Sequence, residues 1–365
     1  MTEVTAPDRE TLYLMGMVAA QLAPPPKTKT RFRRRLAPDK SQRLRRAFQL
    51  AFLALNVWIG VEFVLFVHYY ESGGRGMRVA RPAGVEGWLP IASLMNLKVL
   101  VSTGRIPRVH PAGMFLLVAF LAISWLLRKS FCAWLCPVGT VSEWLWRLGR
   151  QTFHRNWPLP RRIDMALRSL KYILLGLFLY AVGSMSVPAI QSFLEGPYGL
   201  VSDVKMLNFF RFLGFAGGAV LGLLVVLSVF VQNFWCRYLC PYGALMGLAA
   251  LTGPLRIRRE ASLCIDCAKC AKACPAMLPV DKLVSIGSAE CTGCLECVAA
   301  CPAEGALRMS APGRRPVPAW MIASAAAAIF LAICAYARWA GYWNTELPER
   351  VYLDLIPHAR EFTHP

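Results

Sequence analysis

Two groups of four cysteines lie between residues 264 and 302 of this 365-residue chain. Each group follows the spacing C-x2-C-x2-C-x3-C with a proline directly after it, and the second group repeats the first after 27 residues. Thiolates are soft ligands that suit zinc, copper(I) and iron–sulfur centres, so this stretch is the strongest candidate for metal chemistry. The residues are Cys264, Cys267, Cys270 and Cys274, followed by Cys291, Cys294, Cys297 and Cys301.

The doubled spacing predicts two [4Fe-4S] clusters. It is the pattern of bacterial two-cluster ferredoxins, in which the fourth cysteine of each run binds the other cluster. Zinc sites usually consist of paired C-x2-C knuckles, often with histidine, and no histidine lies between residues 155 and 357. A disulfide framework is disfavoured in a large chain whose cysteines should face a reducing compartment. We expect one cluster on Cys264, Cys267, Cys270 and Cys301, and the other on Cys274, Cys291, Cys294 and Cys297.

A second cysteine pattern, C-x3-C-P-x-G, occurs twice, and its two copies are 104 residues apart. The repeat predicts an internal duplication of a two-helix unit. Residues i and i+4 share one face of a helix, so each copy should present two thiols side by side. The proline favours a helix boundary at the cysteine before it. These cysteines are Cys132, Cys136, Cys236 and Cys240.

Several roles are open for these four cysteines. They could be dithiol switches, a soft-metal site for copper(I) or zinc, ligands of a further cluster, or buried structural residues. A disulfide across a helical i, i+4 pair would be strained, and duplication of the whole pattern argues against a purely structural role. The sequence therefore favours a metal site or an electron relay.

The composition is that of a membrane protein. The chain is 56% hydrophobic and 17% charged, with a mean hydropathy of +0.42, whereas soluble domains are nearer a quarter charged. A bilayer crossing needs about 20 apolar residues, so the shorter stretch Trp88–Val101 should be re-entrant or interfacial. We predict an all-α polytopic membrane protein with a small α+β ferredoxin-like insert. The predicted transmembrane helices, about five, cover residues 47–69, 112–131, 169–189, 209–234 and 318–340.

The formal net charge is +20, and the basic residues behind it are distributed along the chain as the predicted topology requires. Basic residues are dense in alternate loops, as the positive-inside rule expects, so we exclude a nucleic-acid role. We predict a bacterial cytoplasmic membrane protein with its N-terminus and clusters in the cytoplasm and its C-terminus outside. The predicted domains are a basic arm at 1–46, a four-helix membrane domain at 47–253, the two-cluster domain at 254–316, a fifth transmembrane helix at 317–340 and an extracytoplasmic tail at 341–365.

Glu62 and His110 are candidate catalytic residues. Glu62 lies within the first predicted span, where an ionisable group is costly and marks a functional hypothesis; it could accept a proton from a quinol or pair with an arginine. His110 follows the apolar segment 88–101, which could form a quinone headgroup pocket or an amphipathic plug between helices. The sequence contains neither a C-x-x-C-H haem motif nor a G-x-G-x-x-G fingerprint. Electrons would therefore move through iron–sulfur clusters and quinone.

Two C-x3-C-P helix ends about a hundred residues apart, followed by a two-cluster insert, resemble the membrane-bound polyferredoxin family. Its members include the quinol dehydrogenase subunit of periplasmic nitrate reductase, the membrane regulator of nitrous oxide reductase and the copper-reducing assembly factor of cbb3-type oxidase. The resemblance implies electron transfer between the quinone pool and a cytoplasmic or extracytoplasmic redox protein. It implies cluster ligands at the eight ferredoxin-type cysteines, and redox or metal roles for Cys132, Cys136, Cys236 and Cys240.

Our leading hypothesis is an integral membrane iron–sulfur electron-transfer protein, either an electron carrier or a subunit of the quinol dehydrogenase type. One alternative is a copper reductase or assembly factor that binds the metal at the C-x3-C-P thiols. A second alternative is an iron–sulfur redox sensor. Membrane lipid and the quinone pool are the expected surroundings in all three cases.

Overall fold

The structure, a computed structural model, describes residues 33–36, 39–154, 157 and 159–364. Most of the predicted N-terminal arm lies outside these residues. In its described part, the Arg35 backbone N–H donates to the Pro302 carbonyl oxygen at 2.9 Å. The Arg35 guanidinium donates to the Val298 carbonyl oxygen, also at 2.9 Å. This part of the arm therefore lies against the ferredoxin-like insert.

Helices dominate the described chain, and proline and glycine set many of their ends. Pro90, Pro111 and Pro137 each stand in the first turn of a helix, where the missing N–H costs nothing. The α-helices are α1 Ser41–Glu71, α2 Pro90–Thr103, α3 Pro111–Leu126, α4 Pro137–Phe153, α5 Arg161–Ser184, α6 Val187–Glu195, α7 Pro197–Leu200, α8 Ser202–Arg211, α9 Phe215–Phe230, α10 Pro241–Leu251, α11 Lys269–Ala273, α12 Glu296–Ala300, α13 Ala319–Trp339 and α14 Glu349–Leu355. Short 3-10 helices cover Ala83–Trp88 and Pro312–Arg314.

Three helices in the described residues, α1, α5 and α13, are long and apolar enough to cross a membrane. Helices α8 and α9 form a pair bent by 81°, which would count as a fourth span if the pair crosses as one unit. The predicted span 112–131 corresponds to α3, which has 16 residues and is shorter than the usual crossing. The stretch Trp88–Val101 contains the 14-residue helix α2. A count of five spans therefore stays a prediction.

The two C-x3-C-P units pack on each other reciprocally. In the first unit, α3 leads into a π-helical turn at Phe131–Leu135 and then into α4. In the second, α9 leads into a π-helical turn at Trp235–Leu239 and then into α10. Helix α3 packs on α10, and α4 packs on α9. Helix α4 also packs on both π turns.

The ferredoxin-like insert contains a small antiparallel sheet in the order β2-β1-β3. Its strands are β1 Arg256–Arg259, β2 Ser285–Ile286 and β3 Leu307–Ser310. In the register, Ile257 of β1 pairs with Ile286 of β2 and with Met309 of β3. These three side chains are buried, so one face of the sheet belongs to the protein core. The mostly helical chain with a small sheet agrees with the predicted fold class.

One apolar core joins the insert to the helices. It includes Ile123 and Trp134 from the first C-x3-C-P unit, Met246 from the second, and Ile257 and Leu307 from the sheet. The Trp134 indole Nε1 also donates to the Gly293 carbonyl oxygen at 3.2 Å. The insert is therefore packed directly beneath the two π turns.

Candidate functional site

The two ferredoxin-type loops repeat one backbone conformation. Asp266 and Ala268 have φ angles of 54° and 55°, and the residues 27 positions later, Gly293 and Leu295, have φ angles of 62° and 60°. Left-handed backbone costs a residue other than glycine of order 1 kcal/mol or more, and such strain collects at ligand-binding sites. Both loops therefore hold the same tight turn around their cysteines.

The eight ferredoxin-type cysteines fall into two groups by their electrostatic contacts. Quartet A is Cys264, Cys267, Cys270 and Cys301, and quartet B is Cys274, Cys291, Cys294 and Cys297. Burial raises the pKa of the Cys270 thiol to about 11, and the Cys301 and Cys264 thiols add to that rise. Burial also raises the pKa of Cys297, and the Cys294, Cys291 and Cys274 thiols add to it. The fourth cysteine of each run thus lies with the first three of the other run.

This arrangement fits the donor set of a [4Fe-4S] cluster, which takes four thiolates. Cys270 is buried by α11 and Cys297 by α12, the short helices that follow the two loops. The sequence expected the same two quartets, and their role as cluster ligands stays a prediction.

Cys132, Cys136, Cys236 and Cys240, here called the membrane quartet, lie on and directly after the two π turns. Cys136 and Cys240 directly follow the turns as their C-caps and are also the N-caps of the next helices, so the expected boundary before each proline is observed. The Cys136 N–H donates to the Phe131 carbonyl oxygen at 2.9 Å, five residues back. Each pair therefore lies on a wider turn than the α-helix we expected, and such turns are frequent at functional sites.

The membrane quartet converges on one place. Cys236 interacts electrostatically with Cys132, Cys136 and Cys240, and Cys136 interacts with Cys132 and Cys240. All four are free cysteines. The buried Lys129 lies close enough to act on Cys132, Cys236 and Cys240. The sequence analysis did not predict that the cysteines of the two motif copies lie close together.

A cavity of about 760 Å³ links these cysteines with quartet B. Its wall includes the whole membrane quartet and the whole of quartet B. The wall also includes Glu62, Trp88, Phe120 and Phe330, among others. The lining is mostly apolar, so the cavity suits a hydrophobic molecule next to a set of thiolates.

Glu62 also lines a second, polar cavity of about 550 Å³. Arg81, Arg338, Asn344 and Glu346 contribute to that cavity. The Glu62 side chain is half-buried. It lies where the apolar cavity meets the polar one, which is a position suited to proton exchange.

His110, the other candidate, lines neither cavity and lies in a buried ionic network. Arg81 pairs with Glu86 and with Asp203, each at 2.7 Å. The His110 Nδ1 lies 3.4 Å from the Glu86 Oε1, and its Nε2 donates to the Gly199 carbonyl oxygen at 2.9 Å. The network joins the 3-10 helix at Ala83–Trp88 to α3 and α8, so the structure indicates a structural role for His110.

The charges in this network set its protonation. Burial opposes the ionised form of Glu86, but Arg81 and His110 outweigh it and lower the pKa of Glu86 to about 2. Burial likewise lowers the pKa of His110, but the hydrogen bond with Glu86 and its charge raise that pKa above 6.5 overall. The network is therefore held with Glu86 charged. The sequence analysis identified only His110 of this network. Nothing in the sequence indicates that His110 contacts Arg81, Glu86 and Asp203.

Known families match both cysteine regions. The family described as "4Fe-4S binding domain" matches residues 109–158 and 213–260. The family described as "4Fe-4S dicluster domain" matches residues 256–302. The first family thus covers the two C-x3-C-P units, and the second covers the whole doubled ferredoxin-type run.

Curated relatives give the same result. "Putative electron transport protein YccM" of Escherichia coli K12 is 48% identical over 326 residues, which cover 88% of this chain and 91% of YccM. "Regulatory protein NosR" of Pseudomonas aeruginosa is 33% identical over 165 residues, which cover 44% of this chain and 22% of NosR. "Ferredoxin-type protein NapH" of Escherichia coli K12 is 28% identical over 184 residues, which cover 48% of this chain and 57% of NapH. No solved structure matches the chain significantly. The chain therefore belongs to the membrane-bound polyferredoxin family.

Proposed function

We propose that this protein transfers electrons between the membrane quinone pool and a redox partner through two [4Fe-4S] clusters held by quartets A and B. The family match supports the clusters, and the similarity to the putative electron transport protein YccM and the ferredoxin-type protein NapH supports electron transfer. The quinone part is carried by one observation, a single cavity whose wall contains Glu62, Trp88 and the thiols of quartet B.

When bound, a [4Fe-4S] cluster accepts and releases single electrons at a potential set by nearby charges and hydrogen bonds. The chain places a buried cation beside quartet B for this purpose. Arg45 is 1% exposed and acts electrostatically on Cys294. A positive charge favours the more negative, reduced state, so Arg45 raises the potential of this site.

The cavity has the size and lining for a quinone. Small-molecule sites enclose about 300–1,000 Å³ and are mostly apolar with a few polar groups, and this cavity has about 760 Å³. Phe120 and Phe330 in its wall have parallel rings with centroids 6.3 Å apart. An isoprenoid quinone could lie along these rings with its headgroup toward the cysteines.

The same cavity reaches the surface that would face lipid. Trp58 on α1 and Leu331 on α13 both line it, and they are 64% and 63% exposed. Helices α1 and α13 are two of the candidate membrane spans and pack on each other. A quinol dissolved in the membrane would enter beside them without crossing water.

Glu62 would take the protons. Oxidation of a quinol to a quinone releases two electrons and two protons, and the electrons pass one at a time to the thiolate-held sites. Glu62 lines both the apolar cavity and the polar cavity near Arg81 and Glu346. Its carboxylate can accept a proton on the apolar side and release it on the polar side.

The topology that we propose has five crossings, with the N-terminus and the clusters in the cytoplasm. Helices α1, α5 and α13 supply three of them, the bent pair α8 and α9 a fourth, and α3 with its π turn the fifth. The basic loops predict this orientation. It places the polar cavity on the extracytoplasmic side, where the released protons would leave.

The test is reduction of the anaerobically purified protein by a menaquinol analogue, followed by electron paramagnetic resonance. We expect the Glu62→Gln variant to be reduced at least about 10²-fold more slowly than the wild type, because it cannot accept a proton. Reduction by dithionite, which needs no proton acceptor, should be unchanged.

The matched control is Glu195→Gln, which removes an exposed carboxylate at the end of α6, away from both cavities. It should be reduced by the quinol at the wild-type rate. A Glu62→Gln variant that also keeps the wild-type rate would remove Glu62 from the path. A wild-type protein with intact clusters that quinol does not reduce would overturn the quinone proposal.

A further inference from the structure

We propose that the membrane quartet holds a third iron–sulfur cluster, of the [4Fe-4S] type, bound jointly by the two C-x3-C-P units. This inference extends the proposed electron-transfer function by one more site. The membrane quartet lies outside the doubled ferredoxin motif.

Each segment that matches the "4Fe-4S binding domain" family contains two cysteines. The "4Fe-4S binding domain" family matches residues 109–158 and 213–260 separately. The first segment contains only Cys132 and Cys136, and the second only Cys236 and Cys240. Since a [4Fe-4S] cluster takes four thiolates, each segment carries half a ligand set, and the two together carry one complete set.

The fold brings the two halves of this set to one cavity. Helix α3 packs on α10, and α4 packs on α9 and on the second π turn. Cys236 then interacts with all three other thiols, and all four line one cavity. In the described part of the chain, no three Cys, His, Asp or Glu side chains converge tightly enough for a single ion, and this holds for quartets A and B as well.

Positive electrostatic groups surround the membrane quartet. Cys136 and Cys240 cap the N-termini of α4 and α10, and the Gly243 N–H donates to the Cys240 Sγ at 3.2 Å. The buried Lys129 acts on both pairs, and Lys171 acts on Cys132 and Cys240. A cluster with four thiolate ligands carries net negative charge, which helix N-termini and buried ammonium groups stabilise.

A strained backbone segment lies just before Cys132 in the sequence. Arg128 and Lys129 have φ angles of 61° and 55°, which is costly for two successive residues that are not glycine. Arg128 holds the segment by donating to the Ala250 carbonyl oxygen at 2.8 Å and to the Ser288 carbonyl oxygen at 2.7 Å. Such strain persists where the surrounding structure fixes a functional geometry.

The position of the membrane quartet explains why a third site is useful. It shares one cavity wall with quartet B and with Phe120, Phe330 and Trp88. A cluster at the membrane quartet would gain one electron and pass it on without a proton. It would add a one-electron site to the cavity that is proposed to hold the quinol.

The test counts iron rather than electron flow, so it can fail independently of the quinone proposal. The full-length protein is purified anaerobically, and its iron, acid-labile sulfide and copper are measured together with its Mössbauer spectrum. Three four-iron clusters give about twelve irons and about twelve sulfides per chain, and two give about eight of each. We expect about twelve, and a wild-type value of about eight would overturn the inference even if no variant folds.

Three variants locate the third cluster and show whether it is shared. Cys132→Ser with Cys136→Ser, Cys236→Ser with Cys240→Ser, and all four changes together should each remove the same four irons, about a third of the total. Cys334→Ser, a lone cysteine of α13 in the same cavity wall, is the matched control and should keep the wild-type iron content. Copper bound by the wild type and lost from the four-fold variant, with iron unchanged, would overturn the inference in favour of a copper site.

Discussion

Arg45 of α1 and Glu296 of α12 form an ion pair with 2.8 Å between Nη2 and Oε1. Arg45 also pairs with Glu143 of α4 at 2.6 Å, and its side chain is 1% exposed. Glu296 lies between Cys294 and Cys297 in the sequence. One buried guanidinium therefore ties the ferredoxin-like insert to helices α1 and α4.

This pair predicts a change in reduction potential. Arg45→Gln removes the positive charge beside Cys294, so the potential of the quartet B cluster should fall by on the order of tens of millivolts. Arg45→Lys keeps the charge and should lie closer to the wild type. A redox titration followed by electron paramagnetic resonance measures the change. An unchanged potential in a folded Arg45→Gln variant would separate Arg45 from the redox site.

The two equivalent glycines of the C-x3-C-P-x-G motifs should differ in their tolerance of alanine. A methyl group on Gly139 would collide with the Cys132 backbone carbonyl oxygen, whereas on Gly243 it would lie 3.5 Å from the Cys236 carbonyl oxygen. Gly139→Ala should lower the free energy of unfolding by about 1–3 kcal/mol and disturb the membrane quartet. Gly243→Ala should behave like the wild type in thermal unfolding, and equal effects of the two changes would contradict the observed packing.

Loss of the buried cation Arg81 should be strongly destabilising. Arg81→Met leaves the buried Glu86 and Asp203 carboxylates without their partner, which should cost about 3–5 kcal/mol. Arg78→Met is the control, because Arg78 pairs with Glu349 at the surface, where the two side chains are 66% and 42% exposed and ion pairs contribute little. Thermal unfolding in detergent compares the two, and similar losses would argue against the network.

The same network predicts how stability depends on pH. The folded-state pKa of Glu86 is lowered to about 2 from 4.5, so its contribution is present above pH 4.5 and disappears as the pH falls toward about 2. The pKa of His110, which faces Glu86, Arg81 and Asp203, is raised above 6.5. Its contribution is complete below pH 6.5 and disappears as the pH rises through the folded-state value.

His110→Gln isolates the second of these effects. The variant should lose the decline in unfolding temperature above pH 6.5 and keep the decline at acidic pH that Glu86 produces. The measurement is the unfolding temperature between about pH 3 and pH 9. A wild-type decline that persists in the variant would assign it to another group.

The grouping of the ferredoxin-type cysteines was predictable because cysteine spacing is a local property of the sequence. The doubled run gave the two quartets directly, and the proline after each C-x3-C marked the observed helix boundary at Cys136 and Cys240. The apolar runs predicted α1, α5 and α13, which are long enough to cross a membrane. In each case neighbouring residues alone carry the information.

What depends on long-range packing was not predictable. The convergence of Cys132 with Cys236 requires the exchange of helix partners between two units that are 104 residues apart. The pair of Arg45 with Glu296 joins residues 251 apart in the chain. Neither contact can be predicted from composition or periodicity. For the ion pair, many basic residues could contact many acidic ones. The length of α3 also differs from the predicted span, since the π turn at Phe131–Leu135 follows instead of a longer helix.

The most direct test of the account is quinol reduction of the anaerobically purified full-length protein, followed by electron paramagnetic resonance. The account predicts that a menaquinol analogue generates the signals of reduced [4Fe-4S] clusters, and that Glu62→Gln slows their appearance while dithionite still reduces the protein. Clusters that dithionite reduces but the quinol does not, under the same conditions, would contradict electron entry from the quinone pool.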